Sequence, residues 1–332
     1  MTNDLDAPPQ RRTARTRRSR RLFAERFPHS WRCRISPRFV VVALVSVAAA
    51  LFVYADALTR MRRAAAALWA IAVAAVVGAA VPLYLIVRPS ARRTWGLAEV
   101  AGVTLFFAGT LPLAGALLPR SAEGLPPLGL VVVLAVAQNA FFVAAGVYLT
   151  AVKYRLPLAA LGLRVDNARR RAAQGLGAAA VAVLGNGLGQ SLTVVVLGLA
   201  MGRAGAAKYV DSEQARIPIY RLLPKLHQGA EIAVLAVLVG VVVPIGEEIF
   251  FRGLTLGALR RAMNRHAAVA ASAVFFALAH LQLVELLPIL ILGLVLGYLY
   301  ELTGSIVPGM IAHGLNNLAA LFLFYQGPSI GA

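Results

Sequence analysis

Nine stretches of this chain stay apolar for long enough, or nearly so, to cross about 30 Å of hydrocarbon at about 1.5 Å per residue, and this limits the fold more than any other feature. They run 39–57, 64–87, 97–118, 128–152, 172–202, 230–246, 267–282, 286–302 and 305–325. Backbone in lipid has to satisfy its own N–H and C=O groups, so each stretch is expected to be a helix. With 59% hydrophobic residues, 14% charged residues and a mean hydropathy of +0.74, the chain carries more apolar surface than a soluble core of its size can bury. The expected fold class is all-α, a polytopic transmembrane bundle of about eight to nine helices. The sixth to eighth stretches are the shortest, so a short, tilted or re-entrant element is expected there.

The formal net charge of +19 would suggest nucleic acid in a soluble protein, but its distribution points elsewhere. With the N-terminus inside and the stretches alternating sides, the inner segments hold 24 of the Lys and Arg residues and the outer ones nine. Such a bias predicts a multi-pass protein of the cell membrane with a cytoplasmic N-terminus and, for nine spans, an outer C-terminus. The basic segment 203–229 runs against it. Residues 1–38 are rich in Arg and poor in apolar residues, so they are expected to be disordered and drawn to anionic headgroups, serving as a topology determinant. Ser19-Arg20-Arg21-Leu22-Phe23 resembles a twin-arginine signal, yet polar residues separate it from the first apolar run, which suits an uncleaved anchor. Cys33 is the sole cysteine, which excludes an intrachain disulfide and a thiolate metal site.

Residues 39–202 are built from Ala, Val, Leu and Gly, with ionisable groups at the ends of the stretches, and they read as scaffold. Gly175, Gly177, Gly185, Gly187 and Gly189 permit close helix approach, and Asn186 and Gln190 are placed to bond across helices. Glu99 and Gln138 read as interfacial or packing residues. The segment 203–229 mixes charge and proline with apolar residues and reads as an amphipathic connection along the membrane surface. A short tail, 326–332, closes the chain.

From residue 230 onward, polar and ionisable groups enter the apolar stretches, where each is expensive and needs a reason. In Gly246-Glu247-Glu248-Ile249-Phe250-Phe251-Arg252-Gly253, Glu248 and Arg252 are four residues apart on a continuing helix and can pair. Glu247 points about 100° away and keeps its carboxylate free, as a general base requires. The plainer reading makes both glutamates caps at the end of the sixth span. His280 ends Phe275-Phe276-Ala277-Leu278-Ala279-His280, and His313 and Asn317 share one face of the last stretch. Three separate helices thus each supply polar groups that can satisfy one another around a water, as in an active site.

The order Glu-Glu-x-x-x-Arg, Phe-x-x-x-His, His-x-x-x-Asn on successive spans resembles the CPBP intramembrane protease family, which includes the type II CAAX prenyl endopeptidases and bacterial Abi-like relatives linked to bacteriocin self-immunity. The resemblance covers about residues 230–325 by motif. It implies a helical bundle with an intramembrane cavity, in which Glu247 and His280 activate water and His313 and Asn317 stabilise the oxyanion. Glu248, Arg252 and Phe276 then support the site. It also leaves open a divalent metal, with Glu247, His280 and His313 as zinc ligands, beside a metal-free route. The expected partners are membrane lipids and a membrane-associated peptide or protein substrate. Two other classes stay beside this one: a non-catalytic membrane immunity or binding factor, and a transporter using the same polar groups as a proton relay.

Overall fold

A computed structural model describes residues 37–75, 77–90, 92–117, 128–226 and 229–326. Residues 1–36 of the arginine-rich tail, with Cys33 and the twin-arginine-like run, lie outside the described residues, as do residues 327–332 of the C-terminal tail. The described chain is all-helical, with no strand among the described residues. The helices are α1 (Pro37–Leu58), α2 (Arg63–Ala75), α3 (Val77–Val87), α4 (Leu97–Leu117), α5 (Leu128–Lys153), α6 (Ala168–Gln214), α7 (Pro218–Leu222), α8 (Gly229–Leu259), α9 (Arg265–Ala279), α10 (Leu286–Thr303) and α11 (Val307–Gln326). Five of them, α5, α6, α8, α10 and α11, are long and apolar enough to cross a membrane. The chain is a polytopic helical bundle, and Ala49–Ala332 forms one compact unit.

The expected second span, 64–87, is instead a hairpin of two short helices. At about 20 and 17 Å, α2 and α3 each fall short of the hydrocarbon thickness. Their antiparallel course brings Trp69 against Tyr84, with ring centroids 5.4 Å apart. The α3 end of the hairpin returns to the end of α1 at Asp56, which takes hydrogen bonds from Arg60 (3.0 Å), Arg88 (2.6 Å) and the Tyr84 hydroxyl (2.7 Å). Arg60 and Arg88 therefore share a side, and the strict alternation used to count charges breaks at this hairpin. The sequence showed one apolar run because composition does not register that two apolar helices pack back against each other.

Two further boundaries differ from expectation. Helix α6 continues through most of the presumed connecting segment to Gln214, with a non-helical glycine, Gly202, at φ +75° inside it. Helix α8 does not end at 246 but runs to Leu259, carrying two stretches of π-helix, Leu238–Val242 and Ile249–Leu256. Glu247 and Glu248 therefore sit mid-helix, not at a cap. They looked like an end because charge normally stops a span, whereas here the charges are satisfied by neighbouring helices.

The main core gathers Phe142 of α5, Phe250 and Phe251 of α8, Phe276 of α9 and Leu292 and Leu296 of α10. Phe142 and Phe250 stack at 4.6 Å, and Phe251 meets Phe276 edge-on at 4.9 Å. Of the five glycines singled out in α6, Gly175, Gly185 and Gly189 press against α10 and α11, whereas Gly177 and Gly187 face open space. Asn186 donates to Asn316 of α11 at 3.4 Å, the cross-helix bond foreseen for it.

Candidate active site

Helix α8 supplies the two carboxylates. The Glu248 Oε1 atom accepts from Arg252 Nη1 at 2.7 Å, one turn along the same helix, and both side chains are fully buried. Arg252 reaches further: Nη2 donates to the Gly293 carbonyl of α10 at 3.3 Å, and the guanidinium lies over the Phe276 ring of α9 at 4.6 Å. One cation thus ties three helices together, in a place where leaving it unpaired would be strongly destabilising.

Helix α11 meets this pair through His313, which is 3% exposed. Its Nδ1 lies 3.2 Å from Glu248 Oε1. A carboxylate already held by arginine is an acceptor, so the ring donates from Nδ1 and its Nε2 is left with a lone pair. That Nε2 lies 3.8 Å from Glu247 Oε2. Glu247 is 7% exposed, and its Oε2 has no hydrogen-bond partner. The two glutamates therefore have different tasks. Glu248 holds an arginine and a histidine, while Glu247 presents a free oxygen to the open nitrogen of that histidine.

Glycines permit the approach of α11 to α8. A Cβ on Gly309 would lie 2.7 Å from Glu248 Oε2, and one on Gly314 would strike the Gly240 carbonyl oxygen. On the other flank, a Cβ on Gly246 would run into the backbone of Asn139 in α5, 2.9 Å from its Cα. Asn139 is a buried polar residue that sequence reasoning passed over in favour of Gln138. Its Nδ2 donates to the Ala135 carbonyl at 2.8 Å, and its Oδ1 is unpartnered beside the residue preceding Glu247. The available signal was a lone carboxamide pair, Gln138-Asn139, within an apolar helix.

His280 caps α9, and its Nδ1 donates to the Phe276 carbonyl at 2.7 Å, so its Nε2 too is left as an acceptor. Its ring stands edge-on to Phe276 at 4.8 Å, and His313 meets the same phenyl at 5.7 Å. Phe276 thus joins both imidazoles and Arg252. Among the described residues no hydrogen bond or ion pair joins His280 to Glu247; the imidazole facing Glu247 is His313. Asn317 donates Nδ2 to the Val239 carbonyl at 3.0 Å, within the first π stretch of α8, where the shifted bonding register leaves carbonyls to be met by side chains.

The turn after His280 is held from the C-terminal end of α6. Glu213 accepts from the backbone N–H groups of Leu283 and Val284, both at 2.6 Å, and Tyr220 donates to Glu285 at 3.2 Å. Burial raises the Glu285 carboxyl above its ordinary value. The segment expected to be a plain connection therefore braces the loop that follows a site residue.

Among the described residues, no group of three or more His, Cys, Asp or Glu side chains converges to hold a metal ion. As placed, Glu247, His280 and His313 do not fit a zinc ligand set.

This arrangement of a buried ion pair, a free carboxylate oxygen and oriented imidazoles on α8, α9 and α11 coincides with a family match. Residues 229–319, from the start of α8 to most of α11, match the family described as Type II CAAX prenyl endopeptidase Rce1-like. No curated protein and no solved structure matches the chain significantly. The family match implies endopeptidase activity in general, and the preceding helices lie outside it. Over residues 229–319 this membrane protein is thus similar to the Rce1-like type II CAAX prenyl endopeptidases.

Proposed function

We propose that this protein hydrolyses a peptide bond of a membrane-associated peptide or protein with water activated by Glu247. The observation that carries the reading is the unpartnered Glu247 Oε2, buried and 3.8 Å from His313 Nε2, beside a second glutamate whose Oε1 is already engaged by Arg252 and His313. An isolated carboxylate is costly in such a place, and a reacting water supplies the partner it lacks.

In this mechanism Glu247 takes a proton from water and the remaining hydroxide attacks the carbonyl carbon. The carbonyl π pair moves to oxygen. The second Nδ2–H of Asn317, whose first is committed to Val239, donates to the developing oxyanion, while the Nε2 lone pair of His313 accepts the other hydrogen of the attacking water. Glu247 then returns its proton to the departing amine nitrogen as the C–N bond breaks. His280, with Nε2 open, holds the water or the substrate amide from the α9 side. Glu248 and Arg252 touch no substrate: they fix the ring of His313 and the pitch of α8. The reading outranks a transporter because the polar cluster ends in the buried Glu248–Arg252 ion pair and, among the described residues, does not form a chain leading across the bundle.

The test uses the full chain in proteoliposomes with peptides ending in Cys-aliphatic-aliphatic-X, farnesylated and not, analysed by mass spectrometry. Cleavage by the parent and a loss of about a hundredfold to ten-thousandfold in Glu247→Gln is expected. A preference for the farnesylated peptide would assign a prenylated substrate. Activity that survives chelation is expected, and activity lost to a chelator and restored by zinc would replace the glutamate-only route. Equal cleavage by parent and Glu247→Gln would end the reading.

A further inference from the structure

A second charged region lies at the other end of α8. A cavity of about 790 Å³ is lined by Arg60, Arg88, Arg92, Arg93 and Arg261, with Trp95 and Leu97 in its wall. It adjoins a smaller one, of about 320 Å³, that adds Lys153 and Tyr154. From Glu247 to Ala258, on the cavity wall, the helix advances on the order of 15 Å, so this is not the hydrolytic site.

Six cations here face two carboxylates, and both carboxylates are already saturated. Asp56 binds Arg60, Arg88 and Tyr84. Glu99 spends Oε1 on Lys153 (2.9 Å) and the Tyr154 hydroxyl (2.7 Å), and Oε2 on the Gly96 N–H (2.9 Å). Arg92 and Arg93 have no carboxylate partner among the described residues, and Arg261 is held by the Trp95 carbonyl and lies on the Trp95 ring at 5.1 Å. Burial and the repulsion of Arg92 both hold Arg261 below its ordinary value. The protein has thus gathered several cations around a hollow without anions to match.

The surroundings decide what kind of anion fits. The cavity lies where α1 and α3 end, α4 begins and α8 ends, at the limit of the apolar segments. From its rim, Leu97, Ala101 and Leu105 of α4 run outward as an exposed apolar stripe at four-residue spacing. Trp95 anchors the floor, donating Nε1 to the Leu254 carbonyl of α8 at 3.0 Å. A ligand with a phosphate at one end and hydrocarbon at the other meets all of these features. Basic pockets between helices at a membrane surface suit anionic headgroups.

We infer that this arginine-lined cavity is a binding site for one anionic phospholipid, its phosphate among Arg88, Arg92, Arg93 and Arg261 and its acyl chains along the exposed face of α4. The inference is independent of the hydrolytic reading.

The experiment is native mass spectrometry of the delipidated full chain, titrated with phosphatidylglycerol, phosphatidylcholine or inorganic phosphate. Phosphatidylglycerol is expected to bind preferentially, and Arg92→Ala with Arg93→Ala is expected to weaken it about thirtyfold. Arg62→Ala with Arg63→Ala, neighbouring cations outside the cavity lining, is expected to leave binding unchanged. Thermal unfolding confirms that both double variants are folded. Equal binding of the two lipids, or an equal loss in both double variants, would overturn the inference. Inorganic phosphate competing on level terms would assign the pocket to a free anion and overturn the lipid.

Discussion

The two carboxylate regions of this molecule use the same chemistry to opposite ends. At the α1–α4 end, Asp56 and Glu99 sit near helix ends and every oxygen is bonded to a cation, a hydroxyl or a backbone N–H. In the α8–α11 core, Glu247 and Glu248 sit in the middle of a helix, and each leaves its Oε2 without a hydrogen-bond partner. A saturated carboxylate holds elements together; one kept buried with a spare lone pair has a cost that only a reaction or a ligand explains. Saturation, rather than burial, separates the two regions, since Glu99 is as buried as Glu247, and within the core Glu248 differs from Glu247 in spending its Oε1 on Arg252 and His313.

The sharpest way to break this contrast is to neutralise one acid from each region. Glu247→Gln is expected to lower peptide hydrolysis by about a hundredfold to ten-thousandfold with little change in thermal unfolding. Glu99→Gln should do the reverse, costing about 1–3 kcal/mol of stability while the rate per folded molecule stays at the parent value. Matching activity profiles for the two variants would remove the distinction.

The cations give the next comparison. Arg252→Ala leaves Glu248 buried against His313 with no positive partner and is expected to cost about 3–5 kcal/mol, read as lost abundance and a lowered unfolding temperature. Arg60→Ala, at the partly exposed end of the Asp56 network, should cost less than about 1 kcal/mol. If both lower the unfolding temperature equally, the Arg252 network is not a structural centre.

Glycines sharpen it further. Gly314→Ala drives a methyl into the Gly240 carbonyl and is expected to cost about 1–3 kcal/mol and to separate α11 from α8, lowering activity along with stability. Gly187→Ala, on an open helix face, should be neutral or stabilising by up to about 1 kcal/mol.

The smallest expected effect is alkaline. Burial and the bond to Glu99 push the Tyr154 phenol from 10.0 up to about 12, so the fold favours its protonated form. That contribution is complete below pH 10.0 and fades as the pH rises through about 12. Tyr154→Phe should remove this part of the alkaline decline in the unfolding temperature, and an unchanged decline would show that Tyr154 does not contribute to it.

The membrane class, the helical content and the Glu248–Arg252 pair were legible in the sequence, because apolar run length and four-residue spacing are local properties. Three things were not. Whether 64–87 crosses or turns back depends on Trp69 meeting Tyr84. Whether Glu247 ends a helix or interrupts one depends on Arg252, Phe276 and Gly293 receiving the charge beside it. Which imidazole faces Glu247, and which nitrogen it presents, depends on Glu248 and Phe276 taking Nδ1 of His313 and His280. Hydrophobicity and helical period are carried by neighbours along the chain. Solvation of a buried charge is carried by neighbours in space, so only the packed structure could decide it.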